Sequence, residues 1–94
     1  MAEFSAFKGM TEDLFDIWTS WYRDVLLFKA MRHADALIFR DQLQAIRQMA
    51  SVCSYEGIEN VLRAIDTARG RLRANVNYDL TMELLLMTMR DCVR

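Results

Sequence analysis

The stretch that decides the fold of this 94-residue chain is TEDLFDIWTSWYRDVLLFKAM, at residues 11–31. Its apolar residues recur every three or four positions, as they do on the buried face of an amphipathic α-helix. Thr11 suits the N-cap position, and Glu12 and Asp13 follow it in the first turn, where negative charge stabilises a helix. We therefore predict one long helix, with a buried stripe that contains Leu14, Trp18, Trp21, Val25 and Phe28.

Three further segments show the same periodicity, and we predict helices over about residues 41–52, 55–73 and 78–92. Ser54 is a suitable N-cap for the middle one. Asn75 and Asn77 separate the last two, because Asn tolerates the left-handed conformation at a helix end and is also a good N-cap. The chain has no proline and three glycines, which excludes a sandwich or barrel with many tight turns. The sequence thus predicts an all-α fold, a small bundle of four to five helices.

The last predicted helix is apolar on two sides. One side contains Leu80, Leu84 and Met87, and the other contains Met82, Leu85, Leu86 and Met89. A helix of this kind either lies at the centre of its domain, buried on both sides, or packs on its own domain with one side and on a partner with the other. The sequence leaves both arrangements open.

Composition and charge exclude several classes of function. The chain has 12 Lys and Arg against 13 Asp and Glu, and its formal net charge of −1 disfavours a nonspecific DNA-binding module. Two cysteines and one histidine cannot form a four-ligand Cys/His zinc site without carboxylates. The usual nucleotide-binding and hydrolase motifs do not occur in the sequence. We therefore predict no catalytic, cofactor-binding or metal-binding residues.

The cysteines and the hydropathy of the sequence indicate the cellular compartment of the protein. Cys53 and Cys92 lie far apart and form no CxxC motif, so we predict that both are reduced and that Cys53 is a small buried hydrophobic residue. The sequence shows no signal peptide, and no stretch approaches the ~18 apolar residues of a membrane span. These features predict a cytoplasmic protein.

Three features do not fit a simple core pattern. Leu27 falls among the polar residues of its helix, and Arg69 falls within the apolar stripe of the third helix. Arg69 either forms an ion pair within the domain or a salt bridge to a partner. The neighbouring aromatic residues Trp18 and Trp21 resemble a stacking platform, but their place on the main apolar stripe favours a role in the core.

Two strings carry a family resemblance. The run IWTSWYRDVLL, at residues 17–27, resembles the W-x-R-D-L-L helix in the C-terminal domain of bacterial DNA polymerase III delta-prime subunits. The run LRANVNYDLTMELLLM, at residues 72–87, resembles the L-x-x-N-x-N-x-x-L-x-L-E-x-L-L-L ending of the same family. The departures are Val25, Met82 and Met87 in place of Leu, and Tyr78 where many members have proline.

The resemblance implies a helical collar domain of the clamp loader at residues 11–94, with residues 1–10 as a linker or a truncated first helix. It implies a scaffold role in clamp loading during DNA replication, without chemistry in this chain. The parent holoenzyme would be a DNA-directed DNA polymerase, a nucleotidyltransferase, with the clamp-loader ATPase in partner subunits. Partners would be the other clamp-loader subunits, of gamma/tau and delta type, with no nucleic acid, membrane or cofactor bound by this domain.

From the two-sided last helix and the outliers we predict a partner interface that contains Leu27, Arg69, Met82, Leu85, Leu86 and Met89. The alternative is a stand-alone helical module that forms a homodimer and has a regulatory role. A homodimer could also form artificially in the isolated chain, if the natural neighbours of the interface are absent.

Overall fold

The structure, a computed structural model, describes residues 2–33 and 35–93, and the side chains of residues 9–33 and 35–93. Within them lie four α-helices: α1 (Ala2–Met31), α2 (Leu43–Val52), α3 (Tyr55–Arg73) and α4 (Tyr78–Cys92). A 3₁₀ helix at Arg40–Gln42 leads into α2, and no strand occurs in the described part of the chain. The predicted all-α bundle is confirmed.

The first helix begins earlier than predicted. It begins at Ala2, so Thr11 lies inside α1 and its prediction as the N-cap was wrong. The Thr11 side chain is instead buried. Residues 2–10 belong to α1, and Met1 lies outside the described residues. The division into residues 1–10 and a domain at 11–94 stays a prediction.

The third helix packs on both α1 and α4. At its start, Tyr55 donates its hydroxyl to the carbonyl oxygen of Lys29, near the end of α1, at 3.0 Å. At its end, Arg73 donates to the Glu12 carboxylate at 3.0 Å. The start of α3 also lies against the end of α4, since a Cβ at Gly57 would be 3.7 Å from the Cα of Cys92. The helices α1 and α4 therefore run parallel to each other and antiparallel to α3.

The core contains side chains from all four α-helices. Those at most 2% exposed include Phe15, Val25, Ile46, Ile58, Val61, Ile65 and Leu85. The buried face of α1 is centred on Phe15 and Tyr22, whereas Leu14, Trp18 and Trp21 are only half-buried. The predicted stripe is thus displaced around the helix, because α3 packs on the Phe15 side of α1 and leaves the Leu14 side next to α4.

The helix ends follow the local signals of the sequence. The Ser54 hydroxyl accepts the backbone N–H of Gly57 at 2.9 Å, which confirms Ser54 as the N-cap of α3. Asn75 has a φ of 62°, in the left-handed region that commonly follows a helix. The Asn77 side chain accepts the N–H of Leu80 at 2.9 Å and caps α4. The predicted roles of both asparagines are confirmed.

Candidate interaction surface

A groove lies between α1 and α4 where both helices rest on α3. It contains two cavities of about 490 and 500 Å³, and Ile17 lines both. The first cavity is lined mainly by Met10, Leu14, Ile17 and Tyr78. The second is lined mainly by Ile17, Trp18, Trp21, Phe39 and Met89. We call this surface, from Met10 to Trp21 on α1 and from Tyr78 to Met89 on α4, the α1–α4 groove.

The aromatic end of the groove is fixed by contacts with other elements. The indole N–H of Trp21 donates to the sulfur of Met49 in α2 at 3.1 Å. Its ring packs on Phe39, with the ring centroids 5.7 Å apart. Phe39 is held in turn by the buried carboxylate of Asp24, which accepts its backbone N–H. Contacts with other elements therefore hold the side chains at this end of the groove, while Ile17 at its middle remains 54% exposed.

A separate, shallower cavity of about 420 Å³ lies on the flank of α4 and is lined by residues of that helix alone. Met82, Leu86 and Met87 supply its apolar part, and Met82 also packs against the core. Leu86 is 50% exposed. This flank of α4 thus presents flexible apolar side chains to solvent, a composition common at adaptable binding surfaces.

Acidic residues lie in the groove and on the neighbouring flank of α4. Asp13 and Asp41 line its two cavities, and no basic residue lines either of them among the described residues. Asp79 and Glu83 lie on the flank of α4, together with Arg90. The guanidinium of Arg90 is itself 3.5 Å from the carboxylate of Asp91. The rim therefore has an excess of negative charge.

The structure places three of the six predicted interface residues at the groove or next to it. Met89 lines a cavity of the groove, and Met82 and Leu86 line the cavity on the neighbouring flank of α4. Leu85 is 2% exposed and packs in the core, so the expectation that it meets a partner is corrected: it faces α3 from the buried side of α4. Leu27 is exposed on α1 but lines neither cavity of the groove.

Arg69 has its partners within the chain. Its guanidinium donates to Glu12 at 2.8 Å and to Asp16 at 2.9 Å, and it lies over the ring of Phe15. Burial acts to lower the pKa of Arg69, but the hydrogen bonds and negative charges of Asp16 and Glu12 outweigh it and raise that pKa. Of the two alternatives left by the sequence, the structure shows the ion pair within the domain.

The fourth helix lies at the edge of the bundle. Thr81, Leu85 and Cys92 face inward and are buried. Leu80, Leu84, Leu86 and Met87 are between 40% and 50% exposed. The alternative of a central helix buried on both sides is therefore wrong, because α4 packs mainly on α3. A separate cleft between α3 and α4 is lined by Leu84 and by polar side chains such as Asn60, Arg63 and Thr67.

The groups that could perform chemistry are sparse in the described residues. They contain no cluster of His, Cys, Asp and Glu suited to a metal ion. Cys53 and Cys92 are both free, and Cys53 is buried, as predicted; Cys92 is buried as well. Burial, with a hydrogen bond and the charge of Cys53, raises the pKa of the Cys92 thiol to about 12. Cys92 therefore stays protonated at neutral pH and is a poor nucleophile.

The sequence missed the α1 side of the groove. The predicted buried stripe of α1 did not include Ile17, and both tryptophans were assigned to the core. The spacing of Met10, Leu14, Ile17 and Trp21 is a second helical ridge, and this signal is present in the sequence. It becomes recognisable only once the buried face is known to centre on Phe15.

The fold and the groove define the class: a small helical bundle with an open apolar surface. The family model described as DNA polymerase III, delta subunit, C terminal, matches residues 3–91. The chain is also 34% identical, over 70 residues or 74% of its length, to DNA polymerase III subunit delta' of Bacillus subtilis (strain 168). The match spans 21% of that relative.

No solved structure matches the chain significantly. The chain belongs to the family of C-terminal domains of DNA polymerase III delta-type subunits, and the resemblance seen in the sequence is confirmed. No helix in the described part of the chain is both long and apolar enough to span a membrane.

Proposed function

We propose that this chain is the subunit-assembly domain of a delta-prime subunit in the DNA polymerase III clamp loader. It acts as a scaffold in loading the sliding clamp during DNA replication, in the cytoplasm. Its partners are clamp-loader subunits of gamma/tau and delta type. Family membership supports the assignment to this complex, because the relative from Bacillus subtilis is a DNA polymerase III delta' subunit. The polymerase and ATPase activities then belong to other parts of the holoenzyme.

The observation that carries the proposal is the apolar α1–α4 groove. Aromatic and Met side chains are enriched at protein interfaces, and a contiguous apolar patch exposed on a monomer commonly marks a binding site. Trp18, Trp21 and Met89 line the groove together with the exposed Ile17. A neighbouring subunit that covered these side chains would remove them from water at about 25 cal/mol per Å².

The remaining features favour assembly over chemistry or DNA binding. The buried thiol with its raised pKa offers no nucleophile at neutral pH. Asp13 and Asp41 at the groove repel phosphate, and the chain has a net charge of −1. We therefore expect this domain to contact proteins and not the DNA itself.

The test compares two variants of the same helix. Leu86→Asp places a charge on the flank of α4 next to the groove, whereas Leu84→Asp places it in the α3–α4 cleft, and the two leucines have similar exposure. We expect Leu86→Asp to weaken binding to gamma/tau or delta subunits by about 30-fold, the ~2 kcal/mol of an interface hot spot. Leu84→Asp should change the affinity less than about threefold. Equal effects of the two variants, or none, would contradict the proposal.

A further inference from the structure

We propose that the α1–α4 groove receives a basic amphipathic helix from a neighbouring subunit. This inference rests on the proposed assembly role, and it adds the chemistry of the partner. The occupant has an apolar face that fills the groove and Lys or Arg residues along both edges of that face. Shape and charge support the proposal separately.

The shape of the groove favours a helix over an extended strand. Met10, Leu14, Ile17 and Trp21 form one ridge along α1, at the spacing by which helices pack on each other. The ridge spans 12 residues, or about 16 Å between its ends at the rise of an α-helix, which suits a partner of about three turns. An extended peptide needs a sheet edge with free backbone groups, and the described residues of this all-α fold offer none.

The charge of the rim selects a basic partner. Asp13 and Asp41 stand at the α1 and 3₁₀ side, and Asp79 and Glu83 stand on the α4 flank. The single cation of these cavity linings, Arg90, already lies next to Asp91 in the described structure. Opposite charge across an interface sets specificity and speeds association, whereas like charge is repelled. A second copy docked through the same groove would bring acidic rims together and is disfavoured.

The chain has a built-in reporter for this test. Trp18 and Trp21 are its two tryptophans, and both line the groove, so tryptophan emission reports its occupancy. The probe is a synthetic helical peptide of about 18 residues without aromatic side chains, with leucines on one face and lysines on the other. A matched peptide has glutamate at every lysine position.

We expect the lysine peptide to shift the tryptophan emission to shorter wavelength and to bind at least about tenfold more tightly than the glutamate peptide. In the double variant Asp13→Lys/Glu83→Lys, which leaves two acidic residues and introduces two basic ones around the groove, the preference should disappear. The control is Glu59→Lys/Asp66→Lys, which makes the same charge change on the exposed face of α3. Equal binding of the two peptides to the unaltered chain, or an equal response of the two double variants, would overturn the proposal.

The same variants, mixed with gamma/tau or delta subunits, separate the two proposals. Subunit binding that is lost in Asp13→Lys/Glu83→Lys and kept in the α3 control supports both. Binding that survives in both double variants, without displacing the lysine peptide, overturns the groove inference and leaves the assembly role standing. Binding of the peptide without binding of any subunit overturns the assembly role and the neighbour as the source of the helix.

Discussion

The carboxylate of Asp24 in α1 accepts the backbone N–H of Phe39 at 2.7 Å, across 15 positions of the chain. Its second oxygen accepts the N–H of Ile38 at 3.1 Å. Asp24 is 1% exposed, so the two N–H groups stabilise a buried negative charge. This contact holds the connection between α1 and α2 against the bundle and places Phe39 on Trp21, at the aromatic end of the groove.

Substitution Asp24→Asn should destabilise the fold. The amide keeps one accepting oxygen but turns an NH₂ group toward a backbone N–H, so one buried donor loses its partner. We expect a loss of about 1.5–3 kcal/mol in the free energy of unfolding, measured by urea denaturation. Asp35→Asn is the matched control, because the Asp35 side chain is exposed to solvent. Equal stability of the two variants would show that the buried carboxylate is not needed.

Removal of Arg69 should also lower stability, and more than removal of Arg73. Both arginines bond to Glu12, but the Arg69 side chain is 18% exposed and that of Arg73 is 64% exposed. We expect Arg69→Ala to cost about 1–2 kcal/mol and Arg73→Ala less than about 1 kcal/mol in thermal or urea unfolding. If Arg69→Ala instead leaves stability unchanged and weakens subunit binding, Arg69 belongs to the partner interface after all.

The fold should lose stability in alkaline solution. Burial raises the pKa of Cys92 from 9.0 to about 12 and that of Tyr22 from 10.0 to about 12, with the neighbouring cysteine charges adding to both. Between these values the unfolded chain has released protons that the folded chain still holds. The free energy of unfolding therefore falls as the pH rises above about 9, by up to about 1.4 kcal/mol per pH unit for each group.

The measurement is urea unfolding at a series of alkaline pH values, and its control is the slope of a variant. In Cys92→Ala the dependence on pH should become shallower, whatever the variant's stability at neutral pH. Tyr22→Phe should reduce the slope above about pH 10 in the same way. Unchanged slopes in both variants would contradict the assigned cause.

The start of α4 depends on the side chain of Asn77. Its oxygen accepts the N–H of Leu80 at 2.9 Å, so Asn77→Ala removes the cap. We expect a loss of about 1 kcal/mol in the free energy of unfolding, whereas Asn77→Asp should retain the stability because Asp caps equally well. Equal losses in the two variants would mean that the amide acts by some contact other than the cap.

Much of the fold could be predicted because helix signals are local. The periodic segments, the caps Ser54 and Asn77 and the left-handed Asn75 were all identified from the sequence. Which side of a helix is buried depends on its neighbours, and there the prediction failed. Leu85 packs inward on α3, whereas Leu84 is 40% exposed. The helical wheel of α4 places the two leucines on different sides but does not show which side is buried.

Polar contacts between residues distant in the sequence could not be predicted either. Asp24 lies within the W-x-R-D-L-L family motif, yet the sequence does not show that its carboxylate accepts N–H groups from the α1–α2 connection. The start of α1 was misplaced because Thr11 and its acidic neighbours imitate an N-terminal signal within a longer helix.

The most direct test of the assembly role is the solution mass of this chain by light scattering, alone and mixed with gamma/tau and delta subunits. We expect a larger species in the mixture, with the mass of a defined complex, which disappears with Leu86→Asp and persists with Leu84→Asp. A chain that does not bind these subunits and forms a tight dimer by itself would contradict the assembly role and favour the stand-alone homodimer.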